Sequence, residues 1–385
     1  MALGTRETAQ LRQDHARIEA FLGEHGLEAE PYPLVISGGQ PEGVAAARAY
    51  PIQGILKYHG LVDWDLRTAY LPSISVNNDA AYSLTMVQFD AGIADDQVAI
   101  NGAPADDRAR ARVIQTLDTV RALARIDTRA IVNSRNVTRA SRVGKGLGTS
   151  ASASAALAMA AISATLGPEM ARNRRFLSCI SRLLAGSGCR SATGGVSLWL
   201  SYPGVSHKES YSVRLDRQNE LADVSLITVP LDSRIGLGTE AAHRDAPQSP
   251  FFAPWCVSRA EEVIESVQAV LAGDWRTLAR WAEVDSIRLH GVTMTGSREN
   301  KLFAWEPENI ALFRLCNDLR SSGVPVYFST DTGPTMVMIT HRDHAAAVVA
   351  GIQDLRMGFE VVQGGIAGPA ELVFVTDARI ELVLS

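Results

Sequence analysis

Apolar residues recur at steps of three and four along two segments of the chain, and this spacing predicts amphipathic helices. One segment runs from Asp106 to Ile126, and the other runs from Thr5 to about His25. A third helix is predicted from Ser150 to Leu166, where small and apolar residues precede the helix-ending pair Gly167-Pro168. Helices are also expected to dominate from Arg259 to Leu319.

Short stretches of alternating or β-branched apolar residues predict strands. They lie at Pro51 to Tyr58, Ser73 to Asn77, Ala81 to Phe89 and Arg129 to Asn136, within Gly194 to Val229, around Val324 to Thr340, and at Phe359 to Gln363 and Leu372 to Leu384. Because strands and helices are grouped rather than strictly alternated, an α+β fold is expected.

The domain organisation is predicted from length and composition. A chain of 385 residues exceeds the roughly 250 to 300 residues over which a single core usually extends, so two lobes are expected. A Gly/Pro-rich segment through Gly43 separates the first helix from the first strands. We therefore expect an N-terminal appendage over residues 1–45, a first lobe over 46–205 and a second lobe over 206–385.

Charge and cysteine usage exclude several classes of partner. The 37 basic and 42 acidic residues give a net charge of -5 with no basic block, so a nucleic-acid partner is not expected. The four cysteines are scattered and favour reduced thiols over a zinc site. The charged N-terminus is unlike a secretory signal, and the apolar run from Ala151 to Gly167 is short for a membrane span. We expect a cytoplasmic protein without a membrane partner.

A glycine-rich turn from Gly144 to Ser152 lies between a predicted strand and a predicted helix. Glycines allow close backbone approach to a ligand, and a helix start offers free N–H groups, so the turn favours phosphate. It lacks both the P-loop spacing and the dinucleotide-binding spacing. A flexible loop before a packed helix is the alternative. The candidate ATP-binding residues are Gly146, Gly148, Thr149, Ser150 and Ser152.

Three further segments carry candidate chemistry. They are Lys57-Tyr58-His59-Gly60 followed by Leu71-Pro72-Ser73-Ile74-Ser75, then Gly186-Ser187-Gly188-Cys189-Arg190-Ser191, and finally Ser329-Thr330-Asp331-Thr332-Gly333-Pro334. Each alone has an ordinary structural explanation, such as a turn-forming aspartate or a strand-end lysine. Their joint occurrence in this order is more specific.

Together with the glycine-rich turn, these segments resemble the mevalonate diphosphate decarboxylases of the GHMP kinase superfamily. The family patterns read K-Y-W-G-K, L-P-x-N-S-S-L-S, G-L-A-S-S-A, G-S-G-S-A-C-R-S and D-A-G-P-N, and the match spans residues 46–340. The resemblance implies a two-lobed GHMP kinase fold with the active site in the cleft between lobes. It also implies ATP as co-substrate, Mg2+, and a reaction that phosphorylates the 3-hydroxyl of the substrate and eliminates phosphate with CO2.

The resemblance also implies roles for individual residues. Asp331 matches the catalytic aspartate, Arg190 the arginine that faces the substrate carboxylate, and Lys57 the lysine near the reacting phosphoryl group. The chemistry suits these types, because a carboxylate can take the proton of a tertiary hydroxyl, a cation offsets phosphoryl charge, and a guanidinium grips a carboxylate with two prongs. The expected substrate-binding residues are Tyr58, Ser187, Ser233 and Arg234. No side chain is assigned as a metal ligand.

The sequence departs from the family at the phosphate end of the substrate. Leu61 replaces the lysine that helps to bind the diphosphate, His59 replaces a tryptophan, and the serine segment is shorter. A lost contact to a charged group costs about 1.5 to 3 kcal/mol, roughly 10- to 150-fold in preference. We therefore expect mevalonate 5-phosphate to be converted to isopentenyl phosphate in isoprenoid biosynthesis. As an alternative, Arg67 or Arg234 could restore the contact to the diphosphate.

Several alternatives stay open. They are a diphosphomevalonate decarboxylase that forms isopentenyl diphosphate, a mevalonate 3-kinase, and a non-catalytic metabolite sensor. The segment from Asp285 to His290 matches a family helix near the active site, but a packed helix is the interpretation we favour. The first 45 residues suggest an amphipathic helix at a subunit contact, and a homodimer is an open alternative to a monomer.

Overall fold

The computed structural model describes residues 3–34, 36, 38–141, 147–234, 239–297, 299 and 301–383. The helices of these residues are α1 (Thr5–Glu24), α2 (Asp107–Ala124), α3 (Thr149–Leu166), α4 (Pro168–Arg172), α5 (Arg174–Ser181), α6 (Gly188–Thr193), α7 (Thr239–Asp245), α8 (Phe252–Val257), α9 (Arg259–Leu271), α10 (Trp275–Thr295), α11 (Pro307–Ser321), α12 (Arg342–Asp354) and α13 (Val375–Val383), with a 3-10 turn at Ala246–Gln248.

The strands are β1 (Gly43–Ala49), β2 (Ile52–Leu56), β3 (Leu61–Asp63), β4 (Thr68–Ala69), β5 (Ser73–Asn77), β6 (Ala81–Asp90), β7 (Gln97–Ile100), β8 (Ala103–Pro104), β9 (Arg129–Thr138), β10 (Val196–Trp199), β11 (Ser212–Arg214), β12 (Val224–Val229), β13 (Val326–Thr330), β14 (Met336–His341), β15 (Val362–Gly365) and β16 (Glu371–Val373). The predicted mixture of helix and sheet is confirmed.

The first sheet has six strands in the order β16-β1-β6-β9-β7-β8. Its pairings are antiparallel except for the parallel pair β7 and β9. Helix α3 packs on β1 and β6, and its small side chains, such as Ala155 and Ala158, are fully buried there. An Ala-rich helix face permits this close approach to the sheet, because it presents no bulk beyond a methyl group.

The residues of the candidate site are positioned by two further sheets and one helix. The second sheet has the order β11-β10-β5-β2, and the third has the order β13-β14-β12-β15. Helix α10 packs against both β2 and β13. The C-terminal ends of these two strands therefore lie beside the same helix, although they are far apart in sequence.

Most predicted elements are confirmed, but the end of the chain is not. Leu372 to Leu384 is predicted as a strand, whereas the structure forms the short strand β16 and then helix α13. Apolar and polar residues alternate around Ile380, and this local pattern is typical of a strand. The helix is instead stabilised by the fully buried Ala378, which packs with Leu84 and Met86 of the first sheet.

The predicted lobe boundaries also need correction. The boundary at residue 205 falls between β10 and β11, which pair in one sheet. Strand β16, assigned to the second lobe, pairs with β1 in the first sheet. After the third sheet, the chain therefore returns to the first sheet. Two lobes made of continuous chain segments do not match the hydrogen-bonded sheets.

Two apolar helices are accounted for by the fold itself. Leu11, Ile18 and Leu22 bury the apolar face of α1, which packs on α8 and α9 of its own chain. Helix α3 is long and apolar enough to cross a membrane, with a mean hydropathy of 1.3, but 72% of it is buried inside the fold. This burial is typical of a core helix. The four cysteines are buried and free.

Candidate active site

Lys57 and Asp331 form a buried ion pair at the meeting of the second and third sheets. The Lys57 Nζ lies 2.7 Å from Asp331 Oδ1, and it also donates to the Ser329 hydroxyl and the Gly54 carbonyl at 2.7 Å each. The Lys57 side chain is 2% exposed, whereas that of Asp331 is 23% exposed. Burial lowers the pKa of Lys57, against the opposing effect of Asp331. The carboxylate therefore faces accessible space while its partner is enclosed.

Gly54 provides the room that this ion pair needs. A Cβ atom at this position would lie 2.7 Å from Lys57 Cδ and 2.9 Å from Asp331 Oδ1. Both distances are shorter than real Cβ contacts, so any larger residue would displace one of the two charged groups. Sequence reasoning missed this glycine, because its role depends on a residue 277 positions away in the sequence.

Asp285 of α10 fixes the backbone of Lys57. Its carboxylate accepts from the Lys57 amide at 2.6 Å, from Arg259 at 2.9 Å and from the Trp255 indole at 2.7 Å. Asp285 is fully buried, and Arg259 also donates to the Lys57 carbonyl at 3.1 Å. The segment from Asp285 to His290 is therefore more than a packed helix, which corrects the interpretation favoured from sequence.

Arg190 lies in α6 with unused hydrogen-bonding capacity. One of its terminal nitrogens donates to the Ser73 hydroxyl at 2.9 Å, and its guanidinium carbon lies 5.3 Å from the centre of the Tyr58 ring. The side chain is buried, and Nε has no hydrogen-bond partner among the described residues. Burial lowers the pKa of Arg190. A buried guanidinium with a free donor suits an anionic ligand, since such a donor is costly to leave unpaired.

Tyr58 and Ser187 lie beside Arg190. Their side chains are hydrogen-bonded to each other, and burial raises the pKa of Tyr58. The Tyr58 ring stacks on His243 with centroids 5.2 Å apart and meets Trp199 edge-on at 4.9 Å. Lys57, Arg190, Tyr58, Ser187 and Asp331 are thus brought together as the sequence predicts.

Three neutral histidines surround these groups. Burial lowers the pKa of His290 to about 3 and that of His243 to about 4, and it lowers the pKa of His59 well below its ordinary value. The His290 Nε2 donates to the Asp331 carbonyl at 2.9 Å, and His243 Nδ1 accepts from the Gly60 amide at 3.0 Å. His290 and His243 thus bind backbone groups of the candidate site without adding charge.

The glycine-rich turn is described only in part, because Gly146 lies outside the described residues. Gly148 has a φ of +69°, and a Cβ there would lie 2.6 Å from the Ile52 carbonyl, so glycine is required where α3 begins. Thr149 is partly exposed and Ser150 is exposed at that helix start. Ser152 is buried and bonds to Ser83 at 2.7 Å, which is a structural role rather than the predicted ATP contact.

The predicted pair Ser233-Arg234 lies near the start of α11. The Arg234 amide donates to Glu306 at 2.8 Å, and its guanidinium donates to Glu308 at 3.0 Å. The Arg234 side chain is 68% exposed. None of its described contacts reaches Tyr58, Ser187 or Asp331. Within the described part of the chain, the structure therefore does not join Arg234 to the other site residues.

Leu61 packs away from solvent in a small apolar cluster. It is 6% exposed and lies with Ala69, Cys189 and Trp199. A lysine at this position would have to place its charge against these apolar groups or reach past them. Leucine at residue 61 therefore contributes apolar packing and no positive charge.

No cluster of three or more His, Cys, Asp or Glu side chains suited to a metal ion occurs among the described residues. A magnesium ion at this site would be held chiefly by nucleotide phosphates, with Asp331 and the hydroxyls of Thr149 and Ser150 as available oxygen donors.

Comparison with known proteins identifies the family to which this chain is similar. Residues 49–212 match the family described as the diphosphomevalonate decarboxylase-like N-terminal domain. The phosphomevalonate decarboxylase of Haloferax volcanii is 33% identical over 87% of this chain and 99% of its own length. The mevalonate 3,5-bisphosphate decarboxylase of Thermoplasma acidophilum is 27% identical over 87% of this chain and 79% of its own length.

Solved structures show the same fold. A structure of MDDEF with MVAPP, AMPPCP and magnesium has a TM-score of 0.77 at 23% identity, covering 86% of this chain and 99% of that chain. A structure of mevalonate diphosphate decarboxylase from Enterococcus faecalis has a TM-score of 0.75 at 24% identity, with the same coverage of 86% and 99%. At these identities the likeness establishes the GHMP kinase fold alone.

Proposed function

This chain belongs to the mevalonate diphosphate decarboxylase family of GHMP-fold enzymes, and we propose that its own reaction is the ATP-dependent decarboxylation of mevalonate 5-phosphate to isopentenyl phosphate. The observation that carries the proposal is the Lys57–Asp331 pair at 2.7 Å beside the buried Arg190. These three side chains fit the two half-reactions of such an enzyme, phosphoryl transfer and decarboxylative elimination.

In the first half-reaction, Asp331 orients the tertiary 3-hydroxyl of the substrate and accepts its proton. The freed oxygen bonds to the γ-phosphorus of ATP while the bond from that phosphorus to the β-γ bridging oxygen breaks, and ADP leaves. Lys57 supplies positive charge to the transferring group from a fixed position, since its nitrogen has three partners at 2.7 Å.

In the second half-reaction, the bond between the substrate carboxylate carbon and C2 breaks. Its electron pair forms the C2–C3 double bond as the C3–O bond breaks, which releases CO2 and inorganic phosphate. Arg190 holds the carboxylate so that the breaking bonds are aligned. Its buried and unpartnered Nε supports a ligand at this position.

The choice of a monophosphate rests on Leu61 and on the relatives. Leu61 lies in an apolar cluster where the family pattern has lysine. The Haloferax relative, named a phosphomevalonate decarboxylase, is 33% identical, compared with 27% for the bisphosphate enzyme of Thermoplasma. Diphosphomevalonate decarboxylation is the runner-up.

ATP and magnesium are the proposed co-substrate and cofactor. The MDDEF structure contains AMPPCP and magnesium. In this chain the start of α3, at Gly148, Thr149 and Ser150, offers free amides and hydroxyls suited to phosphate. Bound magnesium would neutralise phosphate charge during transfer.

A second candidate is favoured by the Thermoplasma relative. A mevalonate 3,5-bisphosphate decarboxylase would receive a substrate already phosphorylated at the 3-oxygen, and would need no γ-phosphate. Asp331 would then have no proton to accept, although it is held by a buried lysine. The three side chains together favour the complete two-step reaction, because Lys57 and Asp331 serve a phosphoryl transfer that a 3,5-bisphosphate decarboxylase does not need, and Arg190 serves a decarboxylation that a 3-kinase does not perform. A non-catalytic sensor would need neither.

The test is a product assay with four substrates: mevalonate, its 5-phosphate, its 5-diphosphate and its 3,5-bisphosphate. We expect the highest kcat/KM for the 5-phosphate, with isopentenyl phosphate as product and a requirement for ATP. A higher kcat/KM for the diphosphate supports the runner-up. Turnover of the 3,5-bisphosphate without ATP would support the bisphosphate decarboxylase. A 3-phosphate product without CO2 would support the 3-kinase, and no turnover at all would support the sensor. Each of these three results would contradict the proposal.

We also propose a cytoplasmic enzyme, which is consistent with four free, buried cysteines. The homodimer stays a proposal, to be tested by sedimentation of the purified chain. Because α1 buries its apolar face within its own chain, that face is not the one we expect at a subunit contact.

A further inference from the structure

Three arginines converge on one carboxylate close to the candidate site. Arg67, Arg108 and Arg112 each pair with Glu240 of α7, and Glu240 is the only carboxylate that pairs with any of them in the described part of the chain. These four directly paired groups, three guanidinium groups and one carboxylate, carry a net charge of +2, and the carboxylates of Asp65 and Asp106 lie close enough to act on Arg67 and Arg112. The pKa of Arg112 is lowered to about 10 by burial and by repulsion from Arg67 and Arg108. The excess positive charge of these four groups favours the binding of a further anion.

The cluster adjoins the part of the candidate site formed by Tyr58 and Ser187. Arg67 donates to the Leu183 carbonyl at 3.0 Å, and its own carbonyl oxygen lies 3.5 Å from a Cβ built on Gly186, next to Ser187. Glu240 and His243 are three residues apart on α7, hence on one face of that helix, and His243 stacks on Tyr58. The cluster therefore lies near Tyr58 and Ser187, which also lie beside Arg190.

We propose that Arg67, Arg108, Arg112 and Glu240 form the subsite that binds the 5-phosphate and limits it to a single phosphate. This assignment rests on the proposed function and names groups outside the family motifs. A phosphomonoester carries about -1.5 to -2 at pH 7, which matches the net charge of the cluster. A diphosphate carries more charge and would meet the Glu240 carboxylate. Glu240 thus takes the discriminating role, through repulsion of the additional phosphate.

The backbone and burial of Arg67 hold its guanidinium in a fixed position. Arg67 follows the turn after β3, with a left-handed φ of +51°, and its side chain is 11% exposed. It immediately precedes β4. A fixed guanidinium with a second and third arginine behind it can hold a phosphate by several charge-assisted hydrogen bonds.

The test measures substrate preference in Glu240→Gln. Removing the carboxylate raises the charge of the cluster to +3, so the ratio of kcat/KM for mevalonate 5-diphosphate to that for the 5-phosphate should rise by about tenfold or more, the effect of about one charged interaction. Glu283→Gln is the matched control, because Glu283 forms a half-buried ion pair with Arg320 away from the cluster. That variant should leave the ratio unchanged.

Arg112→Gln tests the same subsite from the other side without touching the strained backbone of Arg67. The KM for mevalonate 5-phosphate should rise by about 10- to 100-fold, whereas inhibition by unphosphorylated mevalonate should not change. The subsite would be overturned if Glu240→Gln left the ratio of kcat/KM for the diphosphate to that for the 5-phosphate unchanged. It would also be overturned if Arg112→Gln left the KM for the 5-phosphate unchanged. In both cases turnover of the 5-phosphate by the parent protein would still support the proposed function.

A binding measurement separates this inference from the proposed function. Calorimetric titration of each protein with inorganic phosphate and with pyrophosphate needs no turnover. The preference for pyrophosphate should increase in Glu240→Gln, and phosphate binding should weaken in Arg112→Gln. If the parent protein decarboxylates no mevalonate derivative, the proposed function fails, and these titrations still decide whether the cluster is a phosphate site.

Discussion

The ammonium nitrogen of Lys57 lies 2.7 Å from a carboxylate oxygen of Asp331, across 274 positions of sequence. The contact joins the end of β2 to the end of β13 beside helix α10, and Gly54 leaves the space for it. In the proposed reaction, the buried cation supplies a fixed positive charge toward the transferring phosphate, and the partly exposed carboxylate is the base that reaches the substrate.

Asp331→Asn should lower kcat by about 10²- to 10⁴-fold, because an amide cannot accept the hydroxyl proton. Lys57 keeps its bonds to Ser329 and Gly54, so the fold and nucleotide binding should persist. Steady-state kinetics and calorimetric ADP binding check both points. Asp354→Asn, at an exposed position of α12, should behave like the parent protein. Ordinary kcat in Asp331→Asn would remove this residue from the mechanism.

Arg190→Lys should impair decarboxylation more than phosphoryl transfer, since a point charge replaces a planar fork on the carboxylate. Rapid quench should then detect the 3-phosphorylated intermediate. Arg182→Lys is the comparison, because Arg182 is equally buried but bonds to Leu66 and His207. That variant should lose stability without accumulating intermediate. Equal kinetics for Arg190→Lys and the parent protein would make Arg190 purely structural.

Asp285→Asn should destabilise the protein by about 3 kcal/mol, the lower end of the cost of breaking a buried ion pair, because the buried Arg259 loses one of its two carboxylate partners and keeps only Glu262. The same change loosens the backbone of Lys57, so kcat should also fall. Urea unfolding measures the first effect. Glu261→Gln breaks an exposed, solvent-screened pair with Arg17 and should leave the free energy of unfolding close to that of the parent protein. A similar decrease in the free energy of unfolding in both variants would contradict the positioning role of Asp285.

The alkaline side of the pH profile should report Lys57. Burial lowers the pKa of Lys57 below its ordinary 10.5, and the protonated form is the active one, so kcat should fall as pH rises through this lowered pKa. Between the folded and unfolded pKa values the unfolded chain binds more protons, so the contribution of Lys57 to folding stability increases with pH there. Lys57→Arg should be slower but keep its activity at high pH. If kcat of Lys57→Arg falls at the same alkaline pH as kcat of the parent protein, this fall is due to a group other than Lys57.

Local chemistry in the sequence predicts much of the fold. The end of α3 follows from Gly167-Pro168, and the bounds of β5 coincide with the predicted strand from Ser73 to Asn77. The C-terminal helix α13 was missed because Ile380, Glu381 and Leu382 alternate as in a strand. Its formation depends on packing against the first sheet.

The residues of the candidate site also differ in how far the sequence predicts them. Lys57, Arg190 and Asp331 lie in short segments with recognisable composition, so the sequence identifies them. Asp285 and Glu240 carry no local signal, because their partners are 228 and 173 residues away. Their roles follow only once the sheets and α7 and α10 bring those partners into contact.

The most direct test of the proposed reaction is the stoichiometry of CO2 release from mevalonate 5-phosphate labelled at the carboxyl carbon. With ATP and magnesium, we expect one CO2, one ADP and one inorganic phosphate for each isopentenyl phosphate formed, and no CO2 when ATP is omitted. CO2 release without ATP, or ADP formation without CO2, would contradict the account.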